Sequence, residues 1–113
     1  VSAKIALAVY ADKHSIPLIS SMGTGNKLHP ELFRISDLKE TSVCPLCRVM
    51  RKELKTRGIK NLKVCWSPEP PLAPGPTEED TGSRRATPGS IAFVPPVAGL
   101  MIAGAIVREI CSL

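Results

Sequence analysis

The sequence predicts an α/β fold in which a mixed sheet is flanked by helices. Two helix-then-strand units carry this prediction: a helical pattern over 1–14 precedes an apolar run at 16–21, and a second over 45–57 precedes an alternating run at 61–67. Two glycines, Gly23 and Gly25, follow the first run. Ligands of α/β sheets bind where strands end in such loops, so this loop is a candidate binding site, with a plain turn as the alternative.

Length and charge limit the possible functions. A chain of 113 residues forms one domain with a modest core, and its net charge of +5 permits an acidic partner such as RNA. Aromatic residues make up 4% of the chain, too few for a base-stacking platform, so RNA would be bound through its phosphates. Val1 stands where a complete protein has Met, and we expect a fragment of a longer protein.

The elements follow in order. Apolar residues at helical spacing predict a helix from Val1 to His14, which leads into the strand 16–21. A second strand is expected over 27–35, broken near His29, and a polar loop over 36–41.

A basic amphipathic helix is predicted from Pro45 to Arg57. Thr41 or Ser42 is its expected cap and Gly58 its end, while Leu46, Val49, Met50 and Leu54 form its apolar face. The strand 61–67 follows, and the six prolines of 68–88 predict a mobile loop.

The most hydrophobic segment comes last. It predicts a short strand over 91–94, a break at Pro95 and Pro96, and a helix from Val97 to about Cys111. The apolar run 97–107 is too short for a membrane span, which needs about 20 residues. We therefore expect no membrane association and a helix packed against the sheet or a second subunit.

Cys44 and Cys47 have the spacing of half a zinc site. The other two cysteines and two histidines form no matching second pair, so the alternatives are a redox pair acidified by the helix N-terminus or two partly buried thiols. The chain shows no secretory signal pattern, and free thiols in a reducing cytoplasm are expected.

Basic residues occupy the other face of the second predicted helix. A phosphate-binding surface and an ordinary solvated face both explain them, and the RNA-binding candidates are Arg48, Arg51, Lys52 and Lys55. Lys4, near the start of the first helix, could neutralise a phosphate at the sheet edge. No catalytic triad, carboxylate pair or phosphate-cradling glycine loop occurs in the chain.

Three segments together carry a family resemblance: the lysine-bearing helix before IPLISSMGTG, the stretch LHPELFRISDLKET, and the closing GSIAFVPPVAGLMIAGAIVREI. In this order they resemble the ThiF/MoeB/HesA-type adenylating enzymes, and within them the branch that dehydrates threonylcarbamoyladenosine in tRNA. The resemblance implies that residues 1–113 are the C-terminal part of a Rossmann-like ThiF-type domain.

That resemblance implies ATP and a metal ion, expected to be magnesium, a homodimer, and activation of a carboxylate as an acyl-adenylate before a ring closes with loss of water. Lys4 matches a basic residue near the metal-binding acid of the family, and Gly23 and Gly25 match glycines beside its active site. The nucleotide loop and that acid would lie before Val1, so we expect this chain to bind ATP poorly and to be inactive alone.

Two alternatives remain at this point. One is adenylation of a ubiquitin-like sulfur-carrier protein, with a carrier or sulfur-transfer partner, although that branch carries two CxxC pairs and this chain has one. The other is a non-catalytic basic module that binds RNA or protein.

Overall fold

The structure is a computed structural model that describes residues 1–72 and 91–113. Within them the order is α1 (Ser2–Lys13), β1 (Ile19–Ser21), β2 (Arg34–Asp37), α2 (Pro45–Thr56), β3 (Lys63–Trp66) and α3 (Val94–Ile110), with 3₁₀ turns at Pro30–Leu32 and Leu38–Glu40. The strands form one sheet in the order β1-β3-β2. β3 is parallel to β1 and antiparallel to β2, which confirms the predicted mixed α/β fold.

The central strand β3 divides the core into two layers. Successive side chains of a strand point to opposite faces of the sheet. Accordingly, Val64 and Trp66 lie in the larger cluster with buried residues of α1 and α2, whereas Cys65 packs with Phe33 and the start of α3. The sheet is therefore covered on both faces, and a strand in that position has to be apolar on both.

Helix α2 forms where it was predicted and ends one residue earlier. Its buried residues are Cys47, Met50 and Leu54, whereas Val49, expected on the apolar face, is 43% exposed. The helix ends in a Schellman motif: Gly58 N donates to Lys55 O and Ile59 N to Leu54 O. Gly58 has φ +74°, the left-handed conformation that glycine adopts without steric cost.

The expected cap of α2 was wrong. Cys44, rather than Thr41 or Ser42, is the N-cap, and its sulfur accepts a hydrogen bond from Cys47 N at 3.4 Å. Thr41 instead bonds back to Leu38 within the preceding 3₁₀ turn. A thiol can replace a hydroxyl here because the N-cap position requires only a side-chain acceptor for the free N–H groups of the first turn.

The second strand begins later than predicted. Pro30–Leu32 forms a 3₁₀ turn, and β2 runs through Ser36 and Asp37, which were assigned to a loop. These two residues pair with β3, and Ser36 Oγ also accepts a hydrogen bond from Trp66 Nε1 at 2.9 Å. Cross-strand pairing overrides the local polar composition.

The strand expected over 91–94 is absent, because Val94 begins α3. Pro95 and Pro96 lie in the first turn of the helix, where their missing N–H groups would have had no acceptor in the helix. They therefore start the helix instead of breaking it. None of the helices in the described parts of the chain is long and apolar enough to cross a membrane.

Of the predicted mobile loop 68–88, residues 73–88 lie outside the described residues. Residues 68–72 pack back on the domain: Glu69 is buried, and Leu72 N donates to Asn26 O at 2.7 Å.

Candidate functional site

The parallel strands β1 and β3 end at the same edge of the sheet. β1 ends at Ser21, and Met22 continues the pairing by donating its N–H to Cys65 O at 2.8 Å. The loop with the two glycines begins here, beside the N-terminus of α2. The loop 22–26 and the first turn of α2 thus lie at this edge, and binding of a ligand there stays a prediction.

The glycines of this loop do not have the positive φ that glycine adopts most easily. Among the described residues Gly58 is the glycine with positive φ, while in this loop the positive φ of 58° belongs to Asn26. A Cβ placed on Gly23 would lie 4.0 Å from Cys44 Sγ, an ordinary contact. The predicted turn is confirmed, but neither Gly23 nor Gly25 is required there by its backbone conformation.

Two buried residues, Lys27 and Glu69, anchor the segment that follows this loop, and no sequence pattern predicted this contact. The Glu69 carboxylate accepts hydrogen bonds from Leu28 N at 2.8 Å and His29 N at 2.9 Å, and Lys27 Nζ donates to Glu69 O at 3.0 Å. Burial opposes ionisation of Glu69, but the two N–H donors and the charges of His29 and Lys27 hold its pKa below the ordinary value. Lys27 and Glu69 are 4% and 6% exposed.

The two cysteines of the CxxC pair lie together in the core, 3% and 0% exposed. A hydrogen bond from the Cys47 thiol, aided by the backbone N–H groups of Cys47, Gly23 and Leu46, lowers the pKa of Cys44 to about 5 against the opposing effect of burial. The same hydrogen bond, with burial and the nearby Cys44 charge, raises the pKa of Cys47. These shifts favour the thiolate form at Cys44 and the thiol form at Cys47.

The backbone before Cys44 is strained. Val43 has φ 67°, and Cys44 N donates to Ser42 O at 2.7 Å, which together make a γ-turn. A β-branched residue rarely adopts this conformation, because its side chain clashes with the following carbonyl.

Cys44 also lines a cavity of about 710 Å³ with the basic side chains of Arg48, Arg51 and Lys52. Arg48, Lys52 and Lys55 are exposed, and none of the three is in an ion pair with another described residue, unlike Arg57, which pairs with Glu53 at 2.7 Å. Three of the four RNA-binding candidates thus present free charges on one side of α2.

Arg51, the fourth candidate, is turned inward. Its Nη1 donates to Thr41 O at 2.9 Å and also contacts Thr41 Oγ1. Arg51 therefore anchors the segment before α2 and offers less of its charge to a ligand.

Lys4 is half-buried in the first turns of α1 and forms no hydrogen bond or ion pair with the other described residues. The C-terminal half of α1 shares a cavity with Leu62 and Lys63 at the start of β3, so its N-terminal half points toward the opposite edge, where the strands end. Lys4 is thus on the predicted side of the sheet, and its role stays a prediction.

Within residues 1–72 and 91–113, no group of three or more His, Cys, Asp or Glu side chains is arranged to hold a metal ion. Cys44 and Cys47 thus remain a half-site in the described part of the chain.

The sequence matches no family model. It is 38% identical over 116 residues to the tRNA threonylcarbamoyladenosine dehydratase of Bacillus subtilis, which covers 95% of this chain and 46% of that protein. It is 40% identical over 86 residues to dehydratase 2 of Saccharomyces cerevisiae, covering 70% of this chain and 19% of that protein. The chain spans less than half the length of the curated relatives it matches.

Solved structures share the fold. The Escherichia coli tRNA N6-threonylcarbamoyladenosine dehydratase in complex with AMP has a TM-score of 0.80, 23% identity, and coverage of 96% of this chain and 44% of that one. The same enzyme in complex with ATP has a TM-score of 0.65, 24% identity, and coverage of 93% and 45%. The resemblance expected from the sequence is confirmed.

Proposed function

We propose that this chain, which is homologous over 95% of its length to a segment of the tRNA threonylcarbamoyladenosine dehydratases, forms part of an ATP-dependent enzyme that dehydrates this nucleoside in tRNA. The homology supports the proposal because the aligned relatives carry this name in a bacterium and a yeast. The reaction belongs to the longer protein, and we expect the chain alone to be inactive.

The residues of this chain would form one side of a nucleotide-binding site. The loop 22–26 and the N-terminal half of α1, with Lys4, lie at the edge where α/β sheets bind nucleotides. The chain has no glycine-rich loop to surround phosphates, so these residues do not hold ATP and Mg²⁺ by themselves. ATP would supply the leaving group for the loss of water, and we assign no step of that chemistry to this chain.

The observation that carries the RNA part of the proposal is the free basic face of α2. Arg48, Lys52 and Lys55 are three or four residues apart, so they lie on one side of the helix. We infer that this face contacts tRNA phosphates, because unpaired exposed cations gain most from phosphate contact. Its position beside the loop 22–26 would bring bound RNA to the nucleotide edge.

Filter retention of tRNA by two charge-matched double variants tests this face. Arg48→Glu with Lys52→Glu should weaken retention about tenfold or more and reduce the salt slope by about 2, as expected for two lost phosphate contacts. Lys13→Glu with Arg34→Glu changes the net charge equally at exposed positions elsewhere and should retain tRNA much better, as should Lys4→Ala. Equal losses in the two doubles would refute a specific face.

Activity is tested with the longer protein. Incubation with threonylcarbamoylated tRNA, ATP and magnesium should lower the mass of the modified nucleoside by one water. No mass loss would refute the dehydratase proposal, even if tRNA is retained. Equilibrium dialysis of this chain with ATP and magnesium should show no binding at micromolar concentration, and tight binding would contradict an incomplete nucleotide site.

We also propose a homo-oligomer in the cytoplasm. Helix α3 exposes Leu100, Val107 and Ile110 at 72%, 54% and 77%, and exposed apolar side chains on one helix favour association. Light scattering at micromolar concentration should give a mass above that of one chain, and a mass of one chain would refute self-association. No observation favours the sulfur-carrier alternative.

A further inference from the structure

We propose that Cys44 and Cys47 form a reversible dithiol–disulfide pair, in which Cys44 is the thiol attacked by a peroxide and Cys47 is the resolving thiol. Neither cysteine is in a disulfide in the structure. The proposal concerns a modification of this chain and does not depend on the dehydratase function.

The geometry of the pair is the first argument. Cys44 is the N-cap of α2 and Cys47 is three residues further, in the first turn. The Cys44 sulfur accepts a hydrogen bond from the Cys47 backbone nitrogen at 3.4 Å, so the two residues are in direct contact. The proposed disulfide requires the side chains of these neighbouring residues to rotate until the sulfurs reach the bonding distance of about 2 Å. A CxxC pair at a helix N-terminus in an α/β fold is a common arrangement of a redox pair.

Access to the pair is the second, independent argument. Cys44 is one of the residues that line the open cavity with Arg48, Arg51 and Lys52. Cys47 does not line this cavity and is 0% exposed, behind Cys44. Cys44 is itself only 3% exposed, so the proposal requires hydrogen peroxide to enter through this cavity, where the basic side chains would stabilise the negative charge at the point of attack.

The protonation states fit these two roles. The thiolate is the nucleophile in thiol oxidation, and hydrogen bonds from Cys47 and from backbone N–H groups hold Cys44 in that form. Cys47 keeps its proton. The attacking and resolving thiols are thus distinguished before any oxidant arrives.

The chemistry balances with hydrogen peroxide as the oxidant. The Cys44 thiolate attacks one peroxide oxygen, the O–O bond breaks, and the departing hydroxide takes a proton to become water, which leaves a sulfenic acid on Cys44. The Cys47 sulfur then attacks the Cys44 sulfur, its proton leaves with the sulfenic hydroxyl as a second water, and the S–S bond forms. A dithiol reductant restores both thiols.

The other two cysteines serve as internal controls. Cys65 is 1% exposed, and burial raises its pKa, so it is expected to be inert. Cys111 is exposed near the end of α3 and has no cysteine beside it. Oxidation without specificity would modify Cys111 first.

The test uses the folded chain with Cys111 present as the control for unspecific oxidation, and a parallel sample with Cys111→Ser excludes disulfides between chains. After one equivalent of hydrogen peroxide at pH 7, alkylation of the remaining thiols and peptide mass mapping should show Cys44 joined to Cys47, with two thiols lost and Cys65 still free. A pair that remains reduced, or that oxidises only after denaturant is added, would overturn the proposal.

Two further variants separate the roles. Cys44→Ser keeps an N-cap acceptor, since serine is a preferred cap, and should abolish the oxidation. Cys47→Ser should stop at a Cys44 sulfenic acid, which dimedone traps. Equal oxidation of Cys44→Ser and the parent would refute the assignment. The rate in the parent should be constant from about pH 7 to 6 and fall below about pH 5 as Cys44 gains its proton.

Discussion

Replacement of Glu69 by glutamine tests the buried pair that holds the loop after β1. The carboxylate accepts two backbone N–H bonds, from Leu28 and His29, and hydrogen bonds to a charged group each contribute about 1.5–3 kcal/mol. The amide keeps one oxygen acceptor but turns its NH₂ toward the other N–H, so one bond is lost. We expect Glu69→Gln to lower the free energy of unfolding by about 2 kcal/mol, or about 30-fold in the folding equilibrium.

The assay is urea unfolding under reducing conditions, followed by the fluorescence of Trp66, the single tryptophan, which is 4% exposed. Glu31→Gln is the matched control, since Glu31 forms an exposed pair with His29 and should change stability by less than about 0.5 kcal/mol. Amide exchange at Leu28 and His29 should accelerate in Glu69→Gln. The same unfolding midpoint for both variants would refute the assigned role of the carboxylate.

Three further predictions concern backbone and pH. Gly58→Ala should lower the free energy of unfolding by about 1 kcal/mol, because Gly58 has a positive φ that alanine adopts only with strain. Gly99→Ala should raise it by about 0.5–1 kcal/mol, because Gly99 lies inside α3 with open space around it. Urea midpoints that move in the same direction would contradict this pair of predictions. Val43→Gly should relieve the γ-turn and raise the unfolding free energy by about 0.5–1 kcal/mol, and a lower midpoint would argue against strain there. Because its pKa is lowered in the folded state, the Cys44 thiolate adds to the free energy of unfolding; this addition is complete above pH 9.0, decreases as the pH falls and is absent below about pH 5. The difference in unfolding free energy between the parent and Cys44→Ser should therefore grow from pH 5 to 9. A pH-independent difference would exclude a thiolate in the folded state.

The sequence predicted those elements whose local signals agree with their packing. Helix α2 has proline in its first turn, apolar residues at helical spacing and glycine after its end, and apart from the exposed Val49 these residues have their expected structural roles. The strand at β3 was predicted from alternation, and its two faces do contact different layers. Local propensity is most reliable where it coincides with burial.

The sequence-based predictions were wrong where contacts between residues far apart in the chain determine the structure. Lys27 and Glu69 are 42 residues apart, and neither carries a local signal that would join them. Glu69 was assigned to a mobile loop because its neighbours are prolines, yet its carboxylate accepts hydrogen bonds from the backbone N–H groups of Leu28 and His29. Pro95 was read as a break because the periodicity before it looked like a strand, although proline is also a common first-turn residue of a helix.

The proposed redox pair and the proposed phosphate-binding face lie at different positions along α2. The redox pair uses the N-cap and the first turn, where Cys44 is directed inward, while the phosphate face uses Lys52 and Lys55 further along the outer surface. Arg48 and Lys52 border both, since they line the cavity beside Cys44 and also lie on the phosphate face, whereas Lys55 does not line that cavity. Arg48→Glu should therefore weaken tRNA retention and slow peroxide oxidation, whereas Lys55→Glu should weaken retention alone. If Lys55→Glu slowed oxidation as much as Arg48→Glu, the effect would come from net charge, and the cavity would lose its role as the route to Cys44.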